Sequence, residues 1–177
     1  MQPIIYDVAL SIDGFIAGPD GDVTQFAHEG PVVDDYNQRL QNYACAIMGK
    51  QTYEFGYRFG MEAGSNPYPH LATYVFSETI MLPEKRAVEI VSGSDPDKLQ
   101  QIRNEARGPI YLCGGGQFAG SLWAAGMIDI IRLKRAPILL GGGTPLFADA
   151  DPGPALRCVE TKYYDDGYLF QEFHRQN

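Results

Sequence analysis

Short apolar segments recur along the chain and alternate with segments that have the periodicity of a helix. Residues 3–10 are apolar except for one Asp, as is typical of a strand buried on both faces of a sheet. Val32, Tyr36, Leu40 and Tyr43 recur at helical spacing. Strands are predicted at residues 3–10, 44–49, 72–77, 87–92, 109–113 and from 128 onward, and helices over 32–43, from 50, from 96 and after 116.

The last part of the chain predicts a β-hairpin. Residues 155–164 and 168–174 are strand-like, and Asp166-Gly167 between them has the composition of a tight turn. The strands upstream alternate with helices, which is typical of a parallel sheet. We therefore expect an α/β fold of three layers, α/β/α. Residues 1–177 are expected to form it as one domain, with a mostly parallel central sheet and an antiparallel C-terminal hairpin.

Composition narrows the classes of function. The net charge is -8, so the basic surface that nucleic-acid binding requires is not expected, and an anionic membrane would repel this surface. No apolar stretch approaches the ~20 residues that a membrane-spanning helix needs. The N-terminal segment lacks the basic region and cleavage site of a signal peptide, so we expect a cytoplasmic protein.

The cysteines and histidines predict no special chemistry. Cys45, Cys113 and Cys158 lie in apolar, strand-like segments, and their odd number and spacing do not indicate a disulfide framework. The three histidines are isolated from one another, so no metal-ligand spacing exists. We expect the cysteines to be small core residues.

The most informative segment is residues 111–129, where a strand pattern meets Gly114, Gly115 and Gly116 and a helix pattern follows. Glycines let the backbone approach a bound group, and a helix N-terminus offers free N–H donors and positive dipole charge. A phosphate or pyrophosphate is the natural ligand of such a turn, although three glycines at a strand end also form simple tight turns. The full dinucleotide fingerprint is not matched, since the third spaced glycine and the later ribose-binding acid are not clearly placed.

Four segments together resemble the dihydrofolate reductase fold. More closely, they resemble the branch with the C-terminal reductase domain of the bifunctional riboflavin-biosynthesis protein and its stand-alone relatives. The segments are 10–18 (LSIDGFIAG), 46–54 (AIMGKQTYE), 111–118 (YLCGGGQF) and 128–147 (IDIIRLKRAPILLGGGTPLF). They are similar, in that order, to the first strand with its mobile loop, a nucleotide-phosphate turn, the pyrophosphate turn and a long closing strand. We interpret the glycines at 141–143 as a bulge and a tight bend, with ligand binding as the alternative.

The resemblance implies NADPH as the cofactor. Lys50 occupies the place of the family's basic residue near the adenosine 2′-phosphate, and Ser77 that of a serine serving the same phosphate. Glu78 is an unhelpful anion there, and Gln117 replaces a basic residue of many dihydrofolate reductases, so NADH stays open. Phe76 either covers the adenine or belongs to the core. The cofactor-binding residues implied are Ala9, Ile16, Gly49, Lys50, Thr52, Phe76, Ser77, Gly114, Gly115, Gly116, Gln117 and Phe118.

The substrate side departs from the relatives. Dihydrofolate reductases grip the pterin with a carboxylate on the first helix, and Asp34 and its neighbour Asp35 lie next to that place. The riboflavin branch carries a Glu just before the glycine turn, where this chain has Cys113. Asp7 is either a substrate-binding or proton-donating acid with a raised pKa, or an acid satisfied by backbone donors or an arginine. Asp13 either faces the substrate or fixes the loop as an Asx cap.

These features predict an NADPH-dependent oxidoreductase that transfers a hydride to a small heterocyclic, ribosylamino-pyrimidine-like or pterin-like substrate. Asp7, Asp13, Asp34 or a bound water would supply the proton, and no metal is expected. The alternative is a non-catalytic homodimer that binds a nucleotide or another ligand on the same fold. In either case we expect a homodimer, and in the riboflavin branch the segment equivalent to 135–142 serves dimer packing.

Overall fold

The computed structural model describes residues 1–93, 95–148 and 150–176. The helices are α1 (Pro31–Leu40), α2 (Lys50–Phe55), α3 (Pro96–Glu105) and α4 (Gly116–Ala124). The strands are β1 (Ile4–Leu10), β2 (Phe15–Ala17), β3 (Cys45–Gly49), β4 (Ala72–Phe76), β5 (Glu89–Val91), β6 (Ile110–Gly114), β7 (Ile130–Arg135), β8 (Thr144–Pro145), β9 (Leu156–Tyr163) and β10 (Leu169–Arg175).

One sheet carries most of the strands, in the order β5-β4-β3-β6-β1-β7-β10-β9. The strands from β5 to β7 are parallel to their neighbours, and β10 is antiparallel to both β7 and β9. The predicted α/β class, the mostly parallel sheet and the antiparallel C-terminal hairpin are therefore confirmed.

Helices cover both faces of this sheet. Alternate residues of β1 point to opposite sides, so its apolar side chains pack against helices on both faces. Ile4 shares a core cluster with Leu99 of α3 and Trp123 of α4. Ile5 packs on the other face against Leu40 of α1. The two faces together give the three predicted layers. None of the helices in the described ranges is long and apolar enough to cross a membrane.

The segment after β7 differs from the long closing strand that was expected. The strand ends at Arg135, and Pro137, which has no backbone N–H to donate, follows almost at once. Gly141 and Gly143 have positive φ, which fits the predicted tight bend. A Cβ at Gly143 would overlap the Ala17 carbonyl oxygen, so only glycine allows the chain to pass there. The segment then forms the two-residue strand β8, which pairs with β2.

The cysteines also differ from their predicted core role. Cys45 is buried in the core as expected, but Cys158 lies exposed on the edge strand β9. Cys113 is partly exposed because it faces a cavity.

An ion pair fixes the beginning of β1. The Asp129 carboxylate accepts a hydrogen bond from the Ile4 backbone N–H at 2.8 Å and from Arg103 Nη2 at 2.7 Å. Arg103 Nε also donates to the Gln2 carbonyl at 3.1 Å. This arrangement ties α3 and the start of β7 to the central strand.

We expect Arg103→Ala to lower the free energy of unfolding by about 1–3 kcal/mol, because it removes a buried charged donor and leaves the Gln2 carbonyl and Asp129 poorly paired. Urea denaturation measures this difference. Arg107→Ala, at an exposed position, is the matched control and should change stability by less than about 0.5 kcal/mol. Equal effects of the two substitutions would contradict a stabilising role for the ion pair.

Candidate functional site

A cavity of about 1120 Å³ opens at the carboxyl ends of the central parallel strands. Sheets of this kind place ligands there, where side chains from several strands meet. One part of its wall is the glycine turn before α4, and another part is a cluster of polar side chains from β1, β6, β7 and α1. The cavity therefore joins the two regions that the sequence assigned to cofactor and substrate.

The glycine turn is built for a close approach of the backbone. Gly114 and Gly115 have φ of 123° and 89°, which side-chain-bearing residues rarely adopt. A Cβ at Gly115 would lie 2.7 Å from Thr52 Oγ1, and one at Gly116 would overlap the Pro145 carbonyl oxygen. No side chain of the described residues caps the N-terminus of α4. Its first N–H groups are thus available to an anionic ligand.

The predicted cofactor-binding residues divide into two groups. Those that line the cavity are Ala9, Ile16, Thr52, Gly115, Gly116 and Gln117. Gly114 supports the turn behind this surface, and Gly49 lies against Phe118, where a Cβ would meet the Phe118 Cβ at 3.1 Å. Phe76 is buried and its ring centroid lies 5.0 Å from that of Phe118. This geometry favours the core role for Phe76 over the adenine-covering role.

Lys50 and Ser77 lie in a separate polar cluster. Lys50 Nζ donates to Thr79 Oγ1 at 3.1 Å, and Ser77 Oγ accepts hydrogen bonds from the backbone N–H groups of Thr79 and Ile80. The Glu78 carboxylate accepts hydrogen bonds from the Ser92 hydroxyl at 2.8 and 2.9 Å. The Glu78 carboxylate is therefore bonded to Ser92 and not to Lys50. The cluster consists of Lys50 and the hydroxyls of Ser77 and Thr79.

The cluster of polar side chains, which we call the polar end of the cavity, is centred on Asp7. This residue is only 1% exposed. Its Oδ1 accepts hydrogen bonds from Lys134 Nζ at 3.1 Å and Arg39 Nη2 at 3.4 Å. Its Oδ2 accepts from Arg39 Nε at 3.0 Å and the Tyr43 hydroxyl at 3.2 Å. Arg132 Nη1 in turn donates to the Tyr43 hydroxyl at 3.1 Å. Asp7 is thus paired with an arginine, one of the alternatives left open, and also with a lysine.

The charges of this cluster are set by burial and pairing together. Burial alone would raise the pKa of the Asp7 carboxyl, but Lys134 and Arg39 outweigh it and hold that pKa below its ordinary value. The hypothesis that Asp7 is an acid with a raised pKa is therefore wrong. Burial lowers the pKa of the Lys134 ammonium, because Asp7 is shared with Arg39 and compensates Lys134 only in part.

Tyrosines and a thiol complete the polar end. The Tyr36 and Tyr111 hydroxyls are 2.7 Å apart, and the Tyr68 hydroxyl lies 3.0 Å from Cys113 Sγ. Burial raises the pKa of both the Cys113 thiol and the Tyr111 hydroxyl. These groups stay neutral near neutral pH, so they offer hydrogen bonds without charge.

A family model for the RibD C-terminal domain matches residues 2–170 of the chain. The chain belongs to the RibD C-terminal domain family. The family that the sequence resembled is thereby confirmed.

Individual relatives cover almost the whole chain. The uncharacterized protein YyaP of Bacillus subtilis is 24% identical over 97% of this chain and 94% of its own length. A structure from Shewanella sp. PV-4, assigned to riboflavin biosynthesis, superposes with a TM-score of 0.83 at 23% identity, covering all of both chains. Dihydrofolate reductase from Enterococcus faecalis, solved with NADP(H), gives a TM-score of 0.72 at 15% identity over 99% and 97% of the two chains. At these identities the structural likeness establishes the fold alone.

Two of the predicted acids lie away from the polar end of the cavity. Asp13 accepts hydrogen bonds from the Ser11 hydroxyl at 2.6 Å and the Gly141 N–H at 2.7 Å, so it fixes the loop after β1 to the segment after β7. This geometry favours the loop-fixing role. Asp34 is exposed in the first turn of α1 and is absent from the described lining of the cavity. Its neighbour Asp35 bonds Lys162 and the Tyr164 hydroxyl instead.

The sequence analysis missed Lys134, Arg39 and the tyrosines of the polar end. Arg132 and Lys134 alternate with apolar residues along β7, and Asp7 pairs with Arg132 in the parallel register. A strand with cations on one face beside a strand with a buried acid was the available signal. It becomes readable only once β1 and β7 are known to be neighbours.

We expect Asp7→Asn to lower the free energy of unfolding at neutral pH by about 3–5 kcal/mol, because it leaves the buried Lys134 and the partly buried Arg39 without their counter-charge. The folded pKa of Asp7 lies below the unfolded one, so its contribution is present above the unfolded value and is lost as the pH falls through the folded value. The difference between wild type and D7N should therefore shrink in acid. Urea unfolding at neutral and acidic pH measures both.

Asp165→Asn, at an exposed position, removes the same charge and serves as the control. It should leave stability within about 0.5 kcal/mol of wild type. A deficit of D7N that grows as the pH falls would contradict an ionised, paired Asp7.

Proposed function

We propose that the chain is an NADPH-dependent reductase that transfers a hydride to a small heterocyclic or ribosylamino-pyrimidine-like substrate. The observation that carries this proposal is the continuity of one cavity, from the uncapped glycine turn at Gly115 to the charged cluster of Asp7 and Lys134. Membership of the RibD C-terminal domain family supports the reductase type.

The residues of the glycine turn fit a dinucleotide. Gly115 and Gly116 line the cavity without side chains, and Thr52 Oγ1 offers a hydroxyl at the same surface. Gln117 lines the cavity at the uncapped start of α4. These groups would hold a pyrophosphate, and a bound NADPH would supply the hydride.

The cluster of Lys50, Ser77 and Thr79 supports a preference for NADPH over NADH. A lysine beside hydroxyl groups suits the 2′-phosphate that distinguishes NADPH, through charge-assisted hydrogen bonds. Glu54 lies 3.8 Å from Lys50 Nζ and weakens this charge only partly, because both side chains are partly exposed.

The chain's own contribution to the reaction is positioning, exclusion of water and supply of a proton. Ala9 of β1 and Ile16 of β2 line the cavity with apolar surface. Pairing of β2 with β8 holds the loop after β1 over this region. Fixing two reactants in contact within a site of low water content accounts for much of the rate in such reactions.

We also propose that the protein is a homodimer. The edge strand β9 is exposed along its whole length and presents the apolar side chains Leu156 and Val159. Leu139, within the segment 135–142, is 67% exposed. Apolar edges of this kind are usually covered by a partner. A solution mass of two chains is the expected result, and a stable monomer at micromolar concentration would contradict it.

We expect saturable binding of NADPH that is tighter than the binding of NADH. The fluorescence emission of Trp123 on α4 measures both in a titration. Lys50→Met should reduce the preference for NADPH about tenfold, the equivalent of ~1.4 kcal/mol, with NADH binding unchanged. Lys85→Met removes the same charge at an exposed position and is the control. Failure of the wild type to bind either dinucleotide at millimolar concentration would exclude the cofactor assignment.

Turnover distinguishes the reductase from the alternative of a binding protein without catalysis. We expect bound NADPH to be oxidised by at least one substrate from a panel of pterins, flavins and pyrimidines. Tight NADPH binding with no oxidation by any of them would favour the non-catalytic alternative.

A further inference from the structure

Asp7 has no capacity left for a substrate. Each of its two oxygens already accepts two hydrogen bonds, which come from Lys134, Arg39 and Tyr43. A carboxylate oxygen rarely accepts more than two. Asp7 therefore cannot grip an incoming amino group or ring N–H without losing an existing partner.

Lys134 has capacity that Asp7 lacks. The hydrogen bond to Asp7 uses one of its three N–H donors, and Nζ lies 3.4 Å from the centroid of the Tyr36 ring. The residue is 8% exposed, and it lines the cavity. A desolvated ammonium with an unused donor at a cavity wall favours an electron-rich ligand atom.

The charges around Lys134 also favour an electron-rich ligand. The ionisable groups that face it are Asp7 from β1, Arg39 and Tyr36 from α1, and Cys113 from β6. Two cations share one carboxylate, and burial keeps Tyr36 and Cys113 neutral by raising the pKa of each. The polar end thus carries an excess positive charge, which disfavours a cationic ligand.

We propose that Lys134 binds and protonates the oxygen or nitrogen of the substrate's C=O or C=N group. The cavity would accordingly take oxygen-rich, electron-rich heterocycles rather than amidine-bearing, readily protonated ones. The protonation step rests on the proposed reductase function. The preference for oxygen-rich rings does not.

The step balances in atoms and charge. A hydride adds to the carbon of the C=O or C=N group, and the π electron pair moves to the oxygen or nitrogen. That atom forms a bond to a proton as the N–H bond of the Lys134 ammonium breaks. The substrate becomes an alcohol or amine, a bound NADPH would supply the hydride and become NADP⁺, and the neutral Lys134 amine regains its proton from water.

The lowered pKa of Lys134 suits this role, because an ammonium closer to neutrality gives up its proton more readily. Asp7 acts as a positioning residue. It holds Lys134 at the cavity wall, and neither of its oxygens is free to accept a hydrogen bond from the substrate. Asp34, the sequence candidate for a substrate-binding carboxylate on the first helix, is instead exposed outside the described lining of the cavity.

Binding to the protein without NADPH tests the ligand preference directly. The probes are barbiturate, a pyrimidine anion with charge on its oxygens, and diaminopyrimidine, which binds as an amidine-type cation. Calorimetry should show barbiturate binding at least about tenfold more tightly to the wild type. Lys134→Met should abolish this preference, while Lys134→Arg should retain much of it. Lys98→Met, at a surface ion pair with Glu89, is the matched control and should change neither affinity.

The pH dependence provides a test that needs no variant. Barbiturate stays anionic as the pH rises, so its affinity should fall only as Lys134 loses its proton, at a pH below the ordinary lysine range. In Lys134→Arg this alkaline loss should disappear, since arginine stays protonated. An affinity in the wild type that is constant up to the ordinary lysine range would overturn the proposal.

The remaining outcomes separate this inference from the proposed function. Preference of the wild type for diaminopyrimidine, binding of neither probe, or an unchanged preference in Lys134→Met would overturn the role of Lys134. A barbiturate preference that depends on Lys134 in a protein that binds no dinucleotide would uphold the ligand preference. The proton-donor role would then fall together with the reductase function.

Discussion

A carboxylate on the central strand of a sheet has to be compensated before helices can pack over it, and Asp7 imposes this requirement. An unpaired buried charge would cost several kcal/mol or more, so the surrounding elements must bring donors to it. The last turn of α1 supplies Arg39, and β7 supplies Lys134. The placement of α1 over β1 and the register of β7 both bring these cations to the carboxylate. The same compensation leaves a positive, partly desolvated lysine at the cavity wall.

The cavity therefore has two regions that would recognise a ligand in different ways. At the glycine turn the backbone itself is the proposed recognition surface, because Gly115 and Gly116 line the cavity and carry no side chains. At the other end, recognition depends on side chains held by a network around Asp7. The side chains of Ala9 and Ile16 add apolar surface to the same cavity. This division matches a reaction in which one partner is gripped by its phosphates and the other by its reacting group.

Local patterns predicted the parts of this molecule that depend on local physics. The apolar run of β1, the glycines before α4 and the Asp166-Gly167 turn each specify their own backbone, and the structure agrees with them. The sequence pattern placed the end of β7 too late, because apolar residues continue past Pro137. Pro137 has no backbone N–H to donate to a neighbouring strand, and β7 ends at Arg135. The partners of Asp7 were not predictable by spacing, since Lys134 is separated from it by 127 positions. Only the sheet order brings these residues together.

An isotope-labelled NMR titration of the Asp7 carboxyl, assigned through the signal that D7N lacks, tests the central claim most directly. We expect its midpoint to lie below the ordinary aspartate value of about 3.9, because Lys134 and Arg39 both stabilise the ionised form. A midpoint above that value would show that Lys134 and Arg39 do not outweigh the effect of burial on the carboxyl. It would contradict the ion-pair network, and with it the role of Lys134 as the charged group of the cavity.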